Sequence, residues 1–275
     1  MAGPGRGRSV ARMPTVTVDG VRLYHEEHGS GAPILCIHGC GSSALVWSDA
    51  VRALARRGRV IAYDRRGSSR SERPERYERT SVAEHADDAA ALLGALADGP
   101  AIVVGRSYGG TVALDLALRH PDRVRALVVL EGDAPRALAP ATAAWLDGVA
   151  ERLRAVAERD GVDAVAAALI DDVLEEGAWA ALPEELRRIL TPNGPAILAE
   201  LAGAWWLEAD AAALAGLEHP VLLVAAAGSR PELREPTAAL ARVLPNARTV
   251  QVDGGHLIDP AAREVLAFVD EVLAQ

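Results

Sequence analysis

The sequence contains no lysine: all 29 of its basic residues are arginines. That absence removes Schiff-base chemistry and Walker-type phosphate loops, because both need an ammonium group. An excess of positive charge is lacking too. With 38 acidic residues the net charge is −9, a field that repels nucleic-acid backbones and anionic membrane surfaces. No stretch approaches the roughly 20 uninterrupted apolar residues of a membrane span, since Asp, Glu and Arg break every Ala-rich run. Cysteine is scarce as well. Cys36 and Cys40 have no further cysteines with which to build a disulfide framework and no Cys/His spacing for a closed zinc site, which fits a reducing, cytoplasmic setting. Met1 to Arg12 is Gly/Arg-rich without the apolar segment of a signal peptide. Residues 1–13 are therefore read as a disordered tail, with Met13 as an alternative start. Internal repeats and low-complexity linkers are missing.

What is present suits one large core, because half of the 275 residues are apolar. Short apolar runs recur at Ile34 to Ile37, Val60 to Tyr63, Ala101 to Val104, Val124 to Leu130 and Val221 to Ala225, the pattern of parallel strands buried on both faces. Helical patterns separate them. Val82, Ala86, Ala89, Leu93 and Leu96 share one face behind a Ser81/Glu84 capping box, and Val265, Leu266, Val269, Val272 and Leu273 share another. An antiparallel pair around Asp19-Gly20 and a strand at Arg248 to Val252 complete an α/β sheet of about eight strands. Between Ala134 and Leu207 no strand pattern occurs, and Ala-rich helical stretches are punctuated by Gly161, Gly177, Pro183 and Pro192 to Pro195. This segment reads as an inserted helical cap, residues 134–207, on a core of 14–133 and 208–275. It holds Trp145, Trp179, Trp205 and Trp206, four of the five tryptophans. Rigid aromatic surface in a lid suggests an apolar substrate cavity, although tryptophan also packs small helices together.

The chemistry concentrates in Gly105-Arg106-Ser107-Tyr108-Gly109, a G-x-S-x-G between an apolar strand and a helix. Such a turn lifts the serine oxygen above the sheet edge, and the following helix N-terminus favours an oxyanion. After the strand at Ile34 to Ile37 comes His38-Gly39-Cys40-Gly41, whose glycines let the Cys40 amide serve as an oxyanion donor beside that of Tyr108. His38 itself reads as structural. Cys40 reads as a small neutral filler or a thiol at the pocket mouth.

These motifs resemble the α/β-hydrolase superfamily over nearly the whole chain, Pro14 to Leu273. The resemblance extends to Asp64-Arg65-Arg66-Gly67-Ser68-Ser69-Arg70-Ser71, where Ser69 stands at the family's second glycine, to His120-Pro121-Asp122-Arg123-Val124 and to Gly254-Gly255-His256. It implies an eight-stranded α/β-hydrolase fold, a cap after the sixth strand, and a nucleophile, an acid and a histidine at the strands' carboxyl edge. Among seven histidines, His85 sits in a surface helix and only His256 follows Ser107 in a Gly-rich loop after the last strand, which assigns it as base.

The acid is less direct. The family's usual position follows the seventh strand, where Ala225 to Glu232 contains no aspartate. Certain members carry it after the sixth strand, and Glu131 is the matching position; Asp133 and Glu232 are the alternatives. Adjacent strands lie about 4.8 Å apart, so a glutamate beside the nucleophile strand can reach a histidine overhanging that edge.

Serine at the elbow implies acyl transfer. The expected function is a serine hydrolase of the carboxylesterase or lactonase kind, acting on a medium-sized apolar or aromatic small molecule without metal or organic cofactor. Gly41, Trp145, Trp179, Trp205 and Trp206 are the expected substrate contacts. Carbon–carbon bond hydrolysis or cofactor-free perhydrolysis by the same triad are the alternatives, and a non-catalytic small-molecule receptor is the alternative of another class. Turnover separates the receptor from the enzymes.

Overall fold

The computed structural model describes residues 13–275, so of the expected tail only Met13 is covered, outside any regular element. Eight strands form one sheet: β1 (Thr15–Val18), β2 (Val21–His28), β3 (Pro33–Ile37), β4 (Arg59–Tyr63), β5 (Ala101–Arg106), β6 (Val124–Leu130), β7 (Val221–Ala226) and β8 (Ala247–Val252), in the order β1-β2-β4-β3-β5-β6-β7-β8. β1, β2 and β4 pair antiparallel, and every pairing from β4 through β3 to β8 is parallel.

The helices are α1 (Ser48–Leu54), α2 (Val82–Leu96), α3 (Tyr108–Arg119), α4 (Pro140–Asp160), α5 (Val165–Val173), α6 (Ala178–Ala181), α7 (Glu184–Leu190), α8 (Gly194–Ala202), α9 (Ala211–Ala215), α10 (Pro231–Val243) and α11 (Arg263–Leu273). Among the described residues none is long and apolar enough to cross a membrane.

Helices on both faces explain why β5 and β7 are buried at every position. Alternate residues serve two cores. Val103, Leu127 and Leu223 pack with α2, α3 and α10, whereas Ile102, Val128 and Leu222 pack with α1 and α11. The edge strand β8 is correspondingly half exposed.

Chain order reverses between β3 and β5, so the loops that leave their carboxyl ends diverge and open a crevice. Helices α4 to α9 lie between β6 and β7, and α4 to α8 of them fall in the segment read as a cap. Buried polar groups fasten it to the core. Asn193 accepts the Ser69 N–H at 2.6 Å and donates to the Gly41 and Ser42 carbonyls at 3.2 and 3.0 Å. Ser69 has φ 48°, the left-handed conformation that suits the glycine it replaces, and this contact compensates it. The capping box is only half made: Ser81 Oγ accepts the Glu84 N–H at 3.1 Å, but the Glu84 carboxylate turns away to Arg66 and to Thr80 Oγ1. An ion pair outcompetes the return bond to the cap. His85, expected on a surface helix, is fully buried and meets Tyr108 edge-on at 5.8 Å.

Candidate active site

Ser107 lies between the last residue of β5 and the first of α3, at φ 53° and ψ −129°. A non-glycine residue in that region is strained by about 1–3 kcal/mol, and here the neighbours hold it in place. A Cβ at Gly109 would collide with the Ile37 carbonyl, so only glycine lets α3 start this close to β3. Tyr108 is the first residue of α3, and its N–H is among those a helix leaves without an intrahelical acceptor. The 38–41 turn closes from the other side, where a Cβ at Gly39 would stand 3.8 Å from Ser107 Oγ.

Glu131 follows β6 directly, at φ 48°, with its N–H bonded to the Val224 carbonyl of β7 at 3.0 Å. That turn directs a buried carboxylate across the strand ends. Oε1 accepts the Ala226 N–H at 2.8 Å, and Oε2 accepts Ser229 Oγ–H at 2.8 Å. The same Oε2 lies 2.7 Å from His256 Nδ1. A carboxylate at that distance fixes the tautomer: Nδ1 carries the proton and Nε2 presents its lone pair. Nε2 is buried without a hydrogen-bond partner, and His256 and Ser107 border one cavity. Ser107 Oγ and Nε2 are not hydrogen-bonded in this conformation, as is common before substrate binds.

His256 Nδ1 is bonded to neither of the alternative carboxylates. Asp133 donates its N–H to Thr111 Oγ1 at 2.9 Å; burial lifts its carboxyl to about 6, against the opposing influence of His256. Glu232 pairs with Arg230 at 3.2 Å.

The cavity encloses about 150 Å³. Gly39, Cys40, Gly41 and Ser107 line its core side, and Leu169, Ile170, Val173, Leu174, Leu182, Leu186 and Leu190 its cap side. Gly41, expected at the substrate, is there. The four tryptophans are not among its lining residues. Trp205 and Trp206 border a separate small hollow with Asp133 and Ala143, Trp145 stacks under the Arg230 guanidinium at 4.7 Å, and Trp179 bonds Asp171 through its backbone N–H at 2.7 Å. Trp145 and Trp206 each lie under an arginine guanidinium, a favourable use of a large aromatic face, and all four pack against the hydrophobic core. Cys40 sits at the cavity, and burial beside Glu200 pushes its thiol well above the usual range, which favours the neutral form.

Four contributors escaped the sequence reading. Ser229 occupies the loop after β7 and secures Glu131. Arg106, buried, donates to the Ile258 carbonyl at 2.5 Å and so ties the end of β5 to the histidine loop. Arg65 and Glu200 form a fully buried pair at 2.7 Å below the 38–41 turn. Position 65 stood inside a recognised motif, whereas nothing at Ser229 or Glu200 marks them before the chain is folded. Among the described residues no cluster of His, Cys, Asp and Glu could hold a metal ion.

This combination of an elbow serine, a glycine turn and a carboxylate-bound histidine at the carboxyl edge of a mostly parallel sheet defines a hydrolase scaffold. Residues 32–258 match the alpha/beta hydrolase fold family, and the chain belongs to it. It is 44% identical over 124 residues to a putative carbamate hydrolase, RutD, of Caulobacter sp. (strain K31), covering 44% of this chain and 45% of that one. The chain thus spans less than half the length of the curated relatives it matches. Among solved structures it is similar to Est816, described as an N-acyl homoserine lactone degrading enzyme (TM-score 0.70, 25% identity, 95% of this chain and 99% of the other). It is also similar to a thermophilic esterase from Thermogutta terrifontis (TM-score 0.72, 25% identity, 94% and 96%).

Proposed function

We propose that the protein is a serine hydrolase of carboxylic esters or lactones, with Ser107 as nucleophile, His256 as general base and Glu131 as the acid. The observation that carries this reading is the 2.7 Å contact between Glu131 and His256 Nδ1, with Nε2 left unpartnered beside a cavity shared with Ser107. In this reading Ser107 Oγ attacks the substrate carbonyl as Nε2 takes its proton, and Glu131 stabilises the imidazolium. The Cys40 and Tyr108 amides donate to the oxyanion. Collapse expels the alcohol, protonated by Nε2–H; a water molecule, deprotonated by the same nitrogen, then releases the acid and restores Ser107.

The aliphatic cap-side wall supports an alkyl or acyl chain as the group bound there, rather than the aromatic group suggested by the tryptophans. Similarity to a lactone-degrading enzyme and to an esterase supports the same bond class. The test is hydrolysis of short p-nitrophenyl esters and of acyl lactones by purified protein. Ser107→Ala is expected to lower turnover by about 10⁶-fold; equal rates in the two proteins would overturn the reading.

A further inference from the structure

We propose that Arg65 is a positioning residue for this chemistry, orienting and polarising the Gly39–Cys40 peptide whose N–H is the second oxyanion donor. The inference rests on the serine-hydrolase reading and adds to it a residue outside the triad and the oxyanion amides.

The guanidinium is fully buried and spends its fork on main-chain carbonyls. Nε donates to the His38 carbonyl at 3.1 Å and Nη2 to the Gly39 carbonyl at 3.0 Å. The Gly39 carbonyl has a second donor. Arg65 N–H donates to His38 Nε2 at 2.9 Å, so that nitrogen is unprotonated and His38 Nδ1–H points to the Gly39 oxygen 2.8 Å away. Two donors, one of them cationic, therefore grip one carbonyl. In a planar trans peptide the carbonyl and the N–H point in opposite directions, and no described peptide bond is cis. Fixing the Gly39 oxygen therefore fixes the direction of the Cys40 N–H, and Cys40 borders the cavity with Ser107. A cation on the oxygen also draws electron density from the amide and strengthens its hydrogen as a donor. The turn needs such a grip because its glycines allow the peptide to rotate.

The countercharge comes from the cap. Arg65 Nη1 donates to Glu200 Oε1 of α8 at 2.7 Å and to His85 Nε2 at 3.0 Å, and the guanidinium covers the Tyr108 ring at 4.7 Å. Burial alone would raise the Glu200 carboxyl, but the Arg65 guanidinium outweighs it and holds it at about 2. The oxyanion peptide is thus braced by an ion pair between core and cap, and Asn193 grips the carbonyls of Gly41 and Ser42 from the same side.

The experiment compares wild type, Arg65→Lys and Arg65→Met in hydrolysis of p-nitrophenyl butyrate and in inhibition by butylboronic acid, which forms a tetrahedral adduct on an active serine. Near-ultraviolet circular dichroism checks the fold. Lysine keeps the charge opposite Glu200 but has no planar fork. Expected are a kcat at least tenfold lower for Arg65→Lys and about 10²- to 10³-fold lower for Arg65→Met. KM should stay within about threefold, with boronate affinity falling in step with kcat. Should Arg65→Met fail to fold, Arg65→Lys carries the comparison. A folded Arg65→Lys with kcat and boronate affinity within about twofold of wild type would overturn the inference and leave the serine-hydrolase reading intact. Wild type that neither turns over the ester nor binds the boronate would overturn that reading itself.

Discussion

On the side of the sheet the cavity is walled by the glycine turn, Ser107, Arg106 and His256 together with Val46 and Leu257; on the side of the inserted helices it is walled by seven aliphatic side chains. The first wall is over-determined. Ser107 and Glu131 sit at positive φ, and three of the polar atoms around Glu131 have assigned partners at 2.7 to 2.8 Å. The second wall is aliphatic and carries no such network. In the proposed hydrolase the first wall would set the bond chemistry and the second the shape of the admitted chain, a division that substitutions on either side can test.

The largest effect that would break this division concerns the acid. Glu131→Gln is expected to lower kcat by about 10⁴-fold, while Asp133→Asn and Glu232→Gln stay within about threefold of wild type, measured on one ester. A collapse at Asp133 instead would move the acid two residues along the turn after β6, and one at Glu232 would move it to the β7 side. Next comes the cap wall. Leu186→Ala should shift the ratio of kcat/KM between long and short acyl chains by about tenfold, with turnover of the shortest ester retained; a uniform loss for all chains would show that the leucine supports the fold rather than selecting substrate. The tryptophans provide a sharper contrast. Trp145→Leu, which removes the stack under Arg230, should leave KM within about twofold and lower the melting temperature by about 2–4 °C, as expected for the loss of roughly 1 kcal/mol in a domain of this size.

A further effect is a pH dependence of stability. Burial raises the Asp133 carboxyl from 3.8 to about 6, so the folded state holds this proton more tightly than the unfolded chain. Asp133 therefore costs stability progressively as pH rises between about 4 and 6, and the full cost persists above. Asp133→Asn should raise the melting temperature at neutral pH, and the difference should close near pH 4 in a thermal-melt series. A difference independent of pH would contradict it.

The strands and the elbow were legible because each depends on neighbours in sequence. Apolar runs mark strands covered on both faces, and G-x-S-x-G between such a run and a helix marks a tight turn whatever lies beyond. His256 was singled out by its order along the chain. The residues that support them were not. Ser229 lies 98 positions from Glu131, and Glu200 lies 135 from Arg65, and a single serine or glutamate carries no local signal of so distant a partner. The tryptophans misled for a related reason. Composition places aromatic surface in a segment but does not say what it faces; Trp145 and Trp206 meet arginine guanidinium groups and Trp205 is buried, none of them lining the cavity.

One hydroxyl has a consequence for how such a triad can change over time. Ser229 and His256 share a single oxygen of Glu131, so the end of β7 already faces the imidazole across the seat of the carboxylate. A carboxylate installed there while Glu131 remained would crowd two negative charges, and the pair would retain one proton between them. With glutamine at position 131 that conflict disappears, and the catalytic anion can be supplied from the neighbouring strand. In the proposed triad the reaction itself therefore does not dictate which of the two strands supplies the acid; paired replacements at positions 131 and 229 would exchange one source for the other.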